Sequence, residues 1–256
     1  MRRQRKSKPA TSSPSSSRVS VIIPVMNEKK TLHYVLKEAR KLKPLEIIVV
    51  ANGSTDGSKE IAKASGARVI SFKHPLGHDV GRSVGAMQAV GDILLFMDGD
   101  IVIPAVQLLP FIEAVHKGVD VALNRYSGPV QTQKVHPVVL AKHTLNSMLG
   151  RGDLRGSSMT AIPHALSRRA LNTIGAENLT VPPKAQTIAL VKQLRVEAIR
   201  NVDVSTNNPR RRRSKGIDPL RDLIVGDHLE AMQWLIQATN ERAHHSDLAR
   251  NRSLVR

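Results

Sequence analysis

Short, continuous apolar runs alternate with amphipathic stretches over the first half of the chain. VSVIIPV (19–25) is β-branched and almost uninterrupted, the pattern of a strand covered on both faces. Leu32, Val35, Leu36, Ala39 and Leu42 then recur at i, i+3, i+4, i+7 and i+10, which lays one apolar stripe along a helix that Pro44 ends. EIIVVA (46–51) predicts a second buried strand, NGSTDGS (52–58) a turn, KEIAKAS (59–65) a short helix closed by Gly66, and ARVISF (67–72) a third strand. SVGAMQAV (83–90) reads as helix and DILLFMD (92–98) as a fourth strand. Beyond them the pattern predicts helix over 104–118, strand over 119–124, helix over 135–150, 182–194 and 219–238, and strand over 195–204. The stretch 154–171 predicts an irregular start that ends helical. No internal repeat is present.

Strands alternating with helices at this spacing predict an α/β chain built on a mostly parallel, Rossmann-like sheet flanked by helices. Ligands of such sheets sit at the carboxyl ends of the strands. Those ends read PVMNE (24–28), ANGSTD (51–56), KHPLGHDVGR (73–82) and DGD (98–100), all polar and rich in small residues. Asp98 and Asp100 flank one glycine between two apolar runs, and an unpaired buried carboxylate costs several kcal/mol. A bound cation, a basic neighbour or plain exposure would each resolve that problem.

Composition narrows the partners. With 256 residues the chain holds one large or two small domains, and the lack of cysteine excludes disulfides, thiolate metal sites and cysteine nucleophiles. The formal charge is +18, of which Arg2, Arg3, Arg5, Lys6, Lys8 and Arg18 supply six. Such an excess favours polyanions: nucleic acid, an anionic membrane surface or phosphorylated substrates. Nucleic acid is disfavoured, because the few aromatics (Trp234, Tyr34, Tyr126 and three phenylalanines) fall in no RNP-like or helix-turn-helix pattern. Residues 1–17 read as a disordered basic, serine-rich tail and 241–256 as a basic C-terminal tail. No apolar run suits a secretory signal or approaches the ~20 residues of a membrane span, so the expectation is a soluble cytoplasmic chain, at most peripheral at the inner membrane face.

Three stretches, VIIPVMNE, IIVVANGSTDGS and LGHDVGRSVGAMQAVGDILLFMDGDI, resemble in order and spacing the nucleotide-binding half of the family 2 glycosyltransferases, which have the GT-A fold. Farther on, GSSMTAIPHALSRRAL, PPKAQTIALVKQL and VDVSTNNPRRRR are similar in layout to the acceptor half of glucosyl-3-phosphoglycerate synthase-like members. The resemblance implies a nucleotide-sugar-binding half over 18–125 and a smaller, helical acceptor half over 126–240. It implies transfer of a sugar from a UDP- or GDP-linked donor to an acceptor hydroxyl, on a small, phosphorylated or lipid-linked molecule, with Mg²⁺ or Mn²⁺ bridging the diphosphate. The alternative from another class is a catalytically idle scaffold binding membrane or nucleic acid. A homodimer stays open.

By the same resemblance Asp100 is the metal ligand and catalytic residue, and Asp98 contacts the donor. Pro24, Asn27 and Glu28 surround base and ribose, though Glu28 equally suits a helix's first turn. Asn52 stands where the family has a base-reading Asp, with Ala51 replacing another acid; an amide still offers a donor and an acceptor to a pyrimidine edge. Asp56 matches the family's acid in that turn, and Asp is a turn former on its own account. His78 falls where relatives carry a donor-facing Lys, and the bidentate fork of Arg82 suits a diphosphate. His228 is a second metal ligand or a plain polar helix position. Gly156, Ser157, Ser158 and Met159 line the acceptor side, and Arg210, in NNPRRRR, meets an acceptor phosphate or an anionic membrane. The general base is Asp227 or Glu230, or the enzyme is retaining and uses none; Gln186 occupies the position where synthase-like relatives carry Glu.

Overall fold

A computed structural model describes residues 18–131, 133–204 and 219–255. Seven strands form one sheet: β1 (Val19–Val25), β2 (Glu46–Asn52), β3 (Arg68–Phe72), β4 (Ile93–Phe96), β5 (Val121–Asn124), β6 (His164–Ser167) and β7 (Val196–Arg200). Their order is β3-β2-β1-β4-β6-β5-β7. All share one direction except β6, which pairs antiparallel with both β4 and β5. The helices are α1 (Leu32–Lys41), α2 (Ser58–Ala64), α3 (Val80–Gln88), α4 (Ala105–His116), α5 (Pro137–Met148), α6 (Arg168–Ile174), α7 (Pro182–Val191) and α8 (Pro219–Ala238).

The apolar runs are continuous because both faces of the sheet are covered. Val21, Ile23, Val25, Val49 and Leu95 face one core, which α1 and α4 close with Leu32, Leu36, Leu108 and Phe111. Ile22, Ile48, Val50, Leu94 and Phe96 face the other, closed by Ala86 of α3 and by Leu171, Ala185 and Ala189 of α6 and α7. Each buried Val, Leu, Ile or Phe side chain among them stabilises by about 1.5–3 kcal/mol. α3 lies close on β1 because of Gly85: a Cβ there would stand 2.5 Å from Ile22 Cγ2.

The strand β6 departs from the expectation for 154–171. HALS is four residues long and carries a polar residue at each end, so it shows no strand period. Tertiary pairing makes it a strand: Phe96 of β4 registers with His164, and their rings stack at 4.8 Å. Other elements match within a few residues; α3 starts at Val80, earlier than the expected 83, and β7 ends at Arg200. No helix among the described residues is long and apolar enough to cross a membrane. The 1–17 tail and Arg210 lie outside the described residues, whereas the expected tail from 241 holds turns and a short 3₁₀ helix, Arg252–Val255.

Candidate active site

The strand order reverses at β1 and β4, and the loops leaving those strands carry the candidate residues. After β1, Asn27 adopts φ 61°, a left-handed conformation that Asn tolerates better than most residues. Its Oδ1 accepts from the Thr55 amide at 2.8 Å, and its own amide donates to Ser54 Oγ at 3.2 Å. The Glu28 amide donates to Ser58 Oγ at 2.8 Å, and the Lys29 amide to Asp56 at 2.9 Å. The loops after β1 and β2 are thus stitched together. Asp56 also accepts from the Ser58 amide and hydroxyl. Burial alone would raise its pKa, but the hydrogen bonds from Ser58 and Lys29 outweigh it and hold the carboxyl below the usual range. That is the turn-forming role.

Asn52 is 8% exposed and braces the loop after β3. Its Nδ2 donates to the Gly77 carbonyl at 3.0 Å, and its Oδ1 accepts from the Leu76 amide at 2.6 Å. One amide hydrogen and one lone pair remain beyond this bracing role.

The DGD turn is fixed from two sides. Thr31 Oγ1, at the start of α1, donates to the Gly99 carbonyl at 2.8 Å, and a Cβ on residue 99 would stand 2.5 Å from Val25 Cγ1. Asp98 and Asp100 are both half-buried. The compensation for Asp98 is a basic neighbour: Arg82 Nη2 donates to its Oδ1 at 3.2 Å. Arg82 itself is 4% exposed, pairs with Asp79 Oδ1 at 3.2 Å and donates to the Met159 carbonyl at 3.2 Å. Burial works against its charge, yet Asp79 and Asp98 more than restore it and hold its pKa above the ordinary value. Arg82 thus forms a buried clasp joining α3, the DGD turn and the 156–159 segment. His78 is exposed, its Nε2 3.4 Å from Asp79 Oδ2.

The 156–159 segment is buried and polar. Asn146 Nδ2 donates to the carbonyls of Arg155 at 2.7 Å and Ser157 at 3.0 Å, and Gln186 Oε1 accepts from the Met159 amide at 2.9 Å. Gln186 Nε2 donates to Asn146 Oδ1 at 2.8 Å, so this neutral residue locks the loop. Ser158 and Thr160 hydroxyls pair at 3.0 Å.

Helix α8 carries Asp227, His228 and Glu230. Asp227 is half-buried, and burial, reinforced by Asp79 and opposed by His78, pushes its pKa up to about 6. Glu230 is exposed and tied to Lys184 at 2.9 Å. His228 is 1% exposed with Nδ1 2.6 Å from the Ile224 carbonyl, which fixes the proton on Nδ1 and leaves the Nε2 lone pair buried without a partner. Burial, aided by the charge of Lys142, lowers its pKa to about 4. A neutral imidazole whose Nδ1 proton is held by a carbonyl and whose Nε2 lone pair has no partner is the form in which histidine ligates a metal. Among the described residues no three His, Asp or Glu side chains group closely enough to hold a metal by themselves. The two carboxylates of the DGD turn still suit Mg²⁺ or Mn²⁺, which take one or two carboxylates and complete their shell with substrate phosphates and water.

Two residues escaped the sequence reading. His164 is buried behind the Arg82 clasp, and burial, together with the Arg82 charge, lowers its pKa to about 3. Lys142 of α5 is 9% exposed, and burial followed by Arg82 lowers its pKa to about 8. Neither had a signal in the pattern; Lys142 reads as an ordinary solvent-facing helix position.

A doubly wound sheet with one antiparallel strand and an Asp-Gly-Asp turn at its switch point defines an α/β fold of the GT-A type. The chain belongs to glycosyl transferase family 2, whose model matches residues 20–173. It is 31% identical over 141 residues to glucosyl-3-phosphoglycerate synthase of Mycobacterium tuberculosis, covering 48% of this chain and 42% of that protein. It is 30% identical over 154 residues to undecaprenyl-phosphate 4-deoxy-4-formamido-L-arabinose transferase of Pectobacterium atrosepticum, covering 55% and 45%. The matches thus span less than half the length of these relatives. A crystal structure of the M. tuberculosis synthase with Mn²⁺, UDP and glucosyl-3-phosphoglycerate superposes with a TM-score of 0.61 at 22% identity, over 91% of this chain and 82% of that one. This likeness establishes the fold.

Proposed function

We propose that the protein transfers a sugar from a nucleoside diphosphate sugar, UDP-linked in the first instance, to the hydroxyl of a phosphorylated or lipid-linked acceptor. The observation that carries the reading is the DGD turn held rigidly at the sheet's switch point, with loops after β1, β2 and β3 braced around it. The named relatives act on a phosphoglycerate or an undecaprenyl phosphate, and the structural neighbour was solved with Mn²⁺ and UDP. The idle-scaffold alternative draws no support from these comparisons.

In this reading Asp100 is the main metal ligand and Asp98, steered by Arg82, completes the donor side. Mg²⁺ or Mn²⁺ held there supplies charge neutralisation for the departing diphosphate. The loop of Pro24, Asn27 and Glu28 faces base and ribose. The polar 156–159 segment bounds the acceptor space. Asp227 is the better general base: its pKa near 6 suits proton abstraction close to neutrality, whereas Glu230 is occupied by Lys184.

The test is release of nucleoside diphosphate from UDP- and GDP-linked hexoses with Mn²⁺, with water or an added alcohol as acceptor. Wild type should turn over one class, and Asp100→Asn should lose at least a hundredfold. A chain with no metal-dependent turnover of either class, yet folded and monodisperse, would remove the transferase reading.

A further inference from the structure

Helix α7 is buried along most of its length, and Gln186 within it is 1% exposed. An amide in such a place costs free energy unless both its ends are hydrogen-bonded. Both are. Oε1 accepts from the Met159 amide at 2.9 Å, and Nε2 donates to Asn146 Oδ1 at 2.8 Å and, less closely, to the Ser157 carbonyl at 3.4 Å. Packing alone does not call for an amide here, because apolar partners of the same shape fill such a position at nearly equal stability. The direction of the amide is also fixed. Asn146, on α5 and 1% exposed, donates through Nδ2 to the carbonyls of Arg155 and Ser157, so its Oδ1 is left to face Gln186. Turning either amide over would set oxygen against oxygen.

The hydrogen bonds continue past the 156–159 segment. The Met159 backbone is held on both sides: Gln186 accepts from its N–H, and Arg82 Nη1 donates to its carbonyl at 3.2 Å. Arg82 Nη2 in turn donates to Asp98 Oδ1 at 3.2 Å. Among the described residues Arg82 is the one hydrogen-bonding and ion-pairing partner of the Asp98 side chain, so the place of that carboxylate follows the place of the guanidinium. Arg82 has two anchors on its other nitrogen, Asp79 Oδ1 at 3.2 Å and the Met159 carbonyl. Met159 is wholly buried and Arg82 is 4% exposed, a setting of low dielectric in which each of these bonds is strengthened. One series of bonds therefore joins α7 to the first carboxylate of the DGD turn.

We propose that Gln186 is a positioning residue for the nucleotide site, acting through the Met159 backbone and Arg82 to set the Asp98 carboxylate. The role rests on the transferase reading, in which Asp98 completes the donor side. Gln186 touches no substrate; it holds one of the two anchors of Arg82 in place. Loss of the amide therefore loosens Asp98 without freeing it. A connection of this kind is established by energetic coupling between its ends, and linkage makes the coupling reciprocal. A nucleotide and its metal at the DGD turn tighten the Met159 end as Gln186 tightens the turn.

The test is calorimetric titration of UDP and of GDP, each with Mn²⁺, into the full chain as wild type, Gln186→Met, Asp98→Asn and the double variant, with thermal melting of each. Gln186→Met should bind the nucleotide that wild type selects about threefold or more weakly. In the Asp98→Asn background, where the charge that Arg82 holds is gone, the same substitution should weaken binding no further. It should still lower Tm as it does in wild type. A merely structural Gln186 would lower Tm in both backgrounds and leave affinity untouched, or reduce it alike in both; either result would overturn the assignment. Should Gln186→Met fail to fold, hydrogen exchange at the Met159 amide decides. UDP with Mn²⁺ should slow that exchange in wild type and not in Asp98→Asn, and exchange indifferent to the nucleotide in wild type would overturn the role. A wild type that binds neither nucleotide would remove the transferase reading and this role with it, whereas binding indifferent to Gln186 removes the role alone.

Discussion

Arg82→Met tests the clasp that joins the two halves of the site. The substitution keeps much of the side chain's volume and deletes contacts at 3.2 Å to Asp79, Asp98 and the Met159 carbonyl. Asp98 has a side chain 31% exposed and rehydrates at little cost, but that of Asp79 is 3% exposed and its Oδ2 already lacks a hydrogen bond. His78 Nε2, 3.4 Å away, offers only Coulombic help, and only when protonated. Breaking a buried ion pair costs about 3–5 kcal/mol. The start of α3 returns up to roughly 1 kcal/mol to Asp79 through the helix dipole. About 3 kcal/mol should therefore be lost, a fall in Tm of roughly 6–12 °C for a chain of this size. Adding Asp79→Asn removes the stranded charge and should recover most of the loss. Melting of wild type, both single variants and the double variant by circular dichroism gives the full cycle. An Arg82→Met protein within 1–2 °C of wild type, or a double variant showing simple additivity, would refute the reasoning.

Four further outcomes are expected. Stability should fall below pH 6.5, because unfolded His164 takes a proton near 6.5 while the buried ring stays neutral down to about 3; the unfolded chain then binds more protons, at up to about 1.4 kcal/mol per pH unit. His228 adds in the same direction and Asp227 opposes between 3.8 and about 6, so urea titrations from pH 7 to 4 should show a slope that His164→Asn flattens. Gly99→Ala forces a Cβ against Val25 and should cost about 1–3 kcal/mol, with weakened UDP affinity by calorimetry. Asn52→Ala frees the loop at Leu76 and Gly77 and should speed its proteolysis, at a cost of about 1–3 kcal/mol. His228→Ala removes a buried imidazole lone pair that has no partner within the chain and should weaken the Mn²⁺ dependence of UDP binding in titrations.

The sheet's leading strands, the helices between them and the polar loops at their ends were legible in the sequence, because strands covered on both faces write themselves as unbroken apolar runs. What stayed hidden depends on partners distant in the chain. His164 and Ser167 bound a strand only because β4 presents an edge for it, and HALS has no period of its own. Arg82 reads in the sequence as a diphosphate-facing loop cation, and its buried contacts with Asp79, Asp98 and Met159 come from distant parts of the chain. Lys142 and Leu140 have exchanged the places that their polarity predicts, and such an inversion is visible only once α5 is packed. Asn52 falls at the end of β2 as its sequence position implies, and its amide also supports the neighbouring loop, which the pattern does not show.

The central claim is a metal-assisted nucleotide site at the DGD turn, and calorimetric titration of UDP, with GDP as comparison, tests it most directly. The account predicts that wild type binds one nucleotide in the presence of Mn²⁺, binds it at least tenfold more weakly without the metal, and that Asp100→Asn loses this dependence. Failure to bind either nucleotide, or binding that neither Mn²⁺ nor Asp100→Asn alters, would contradict it.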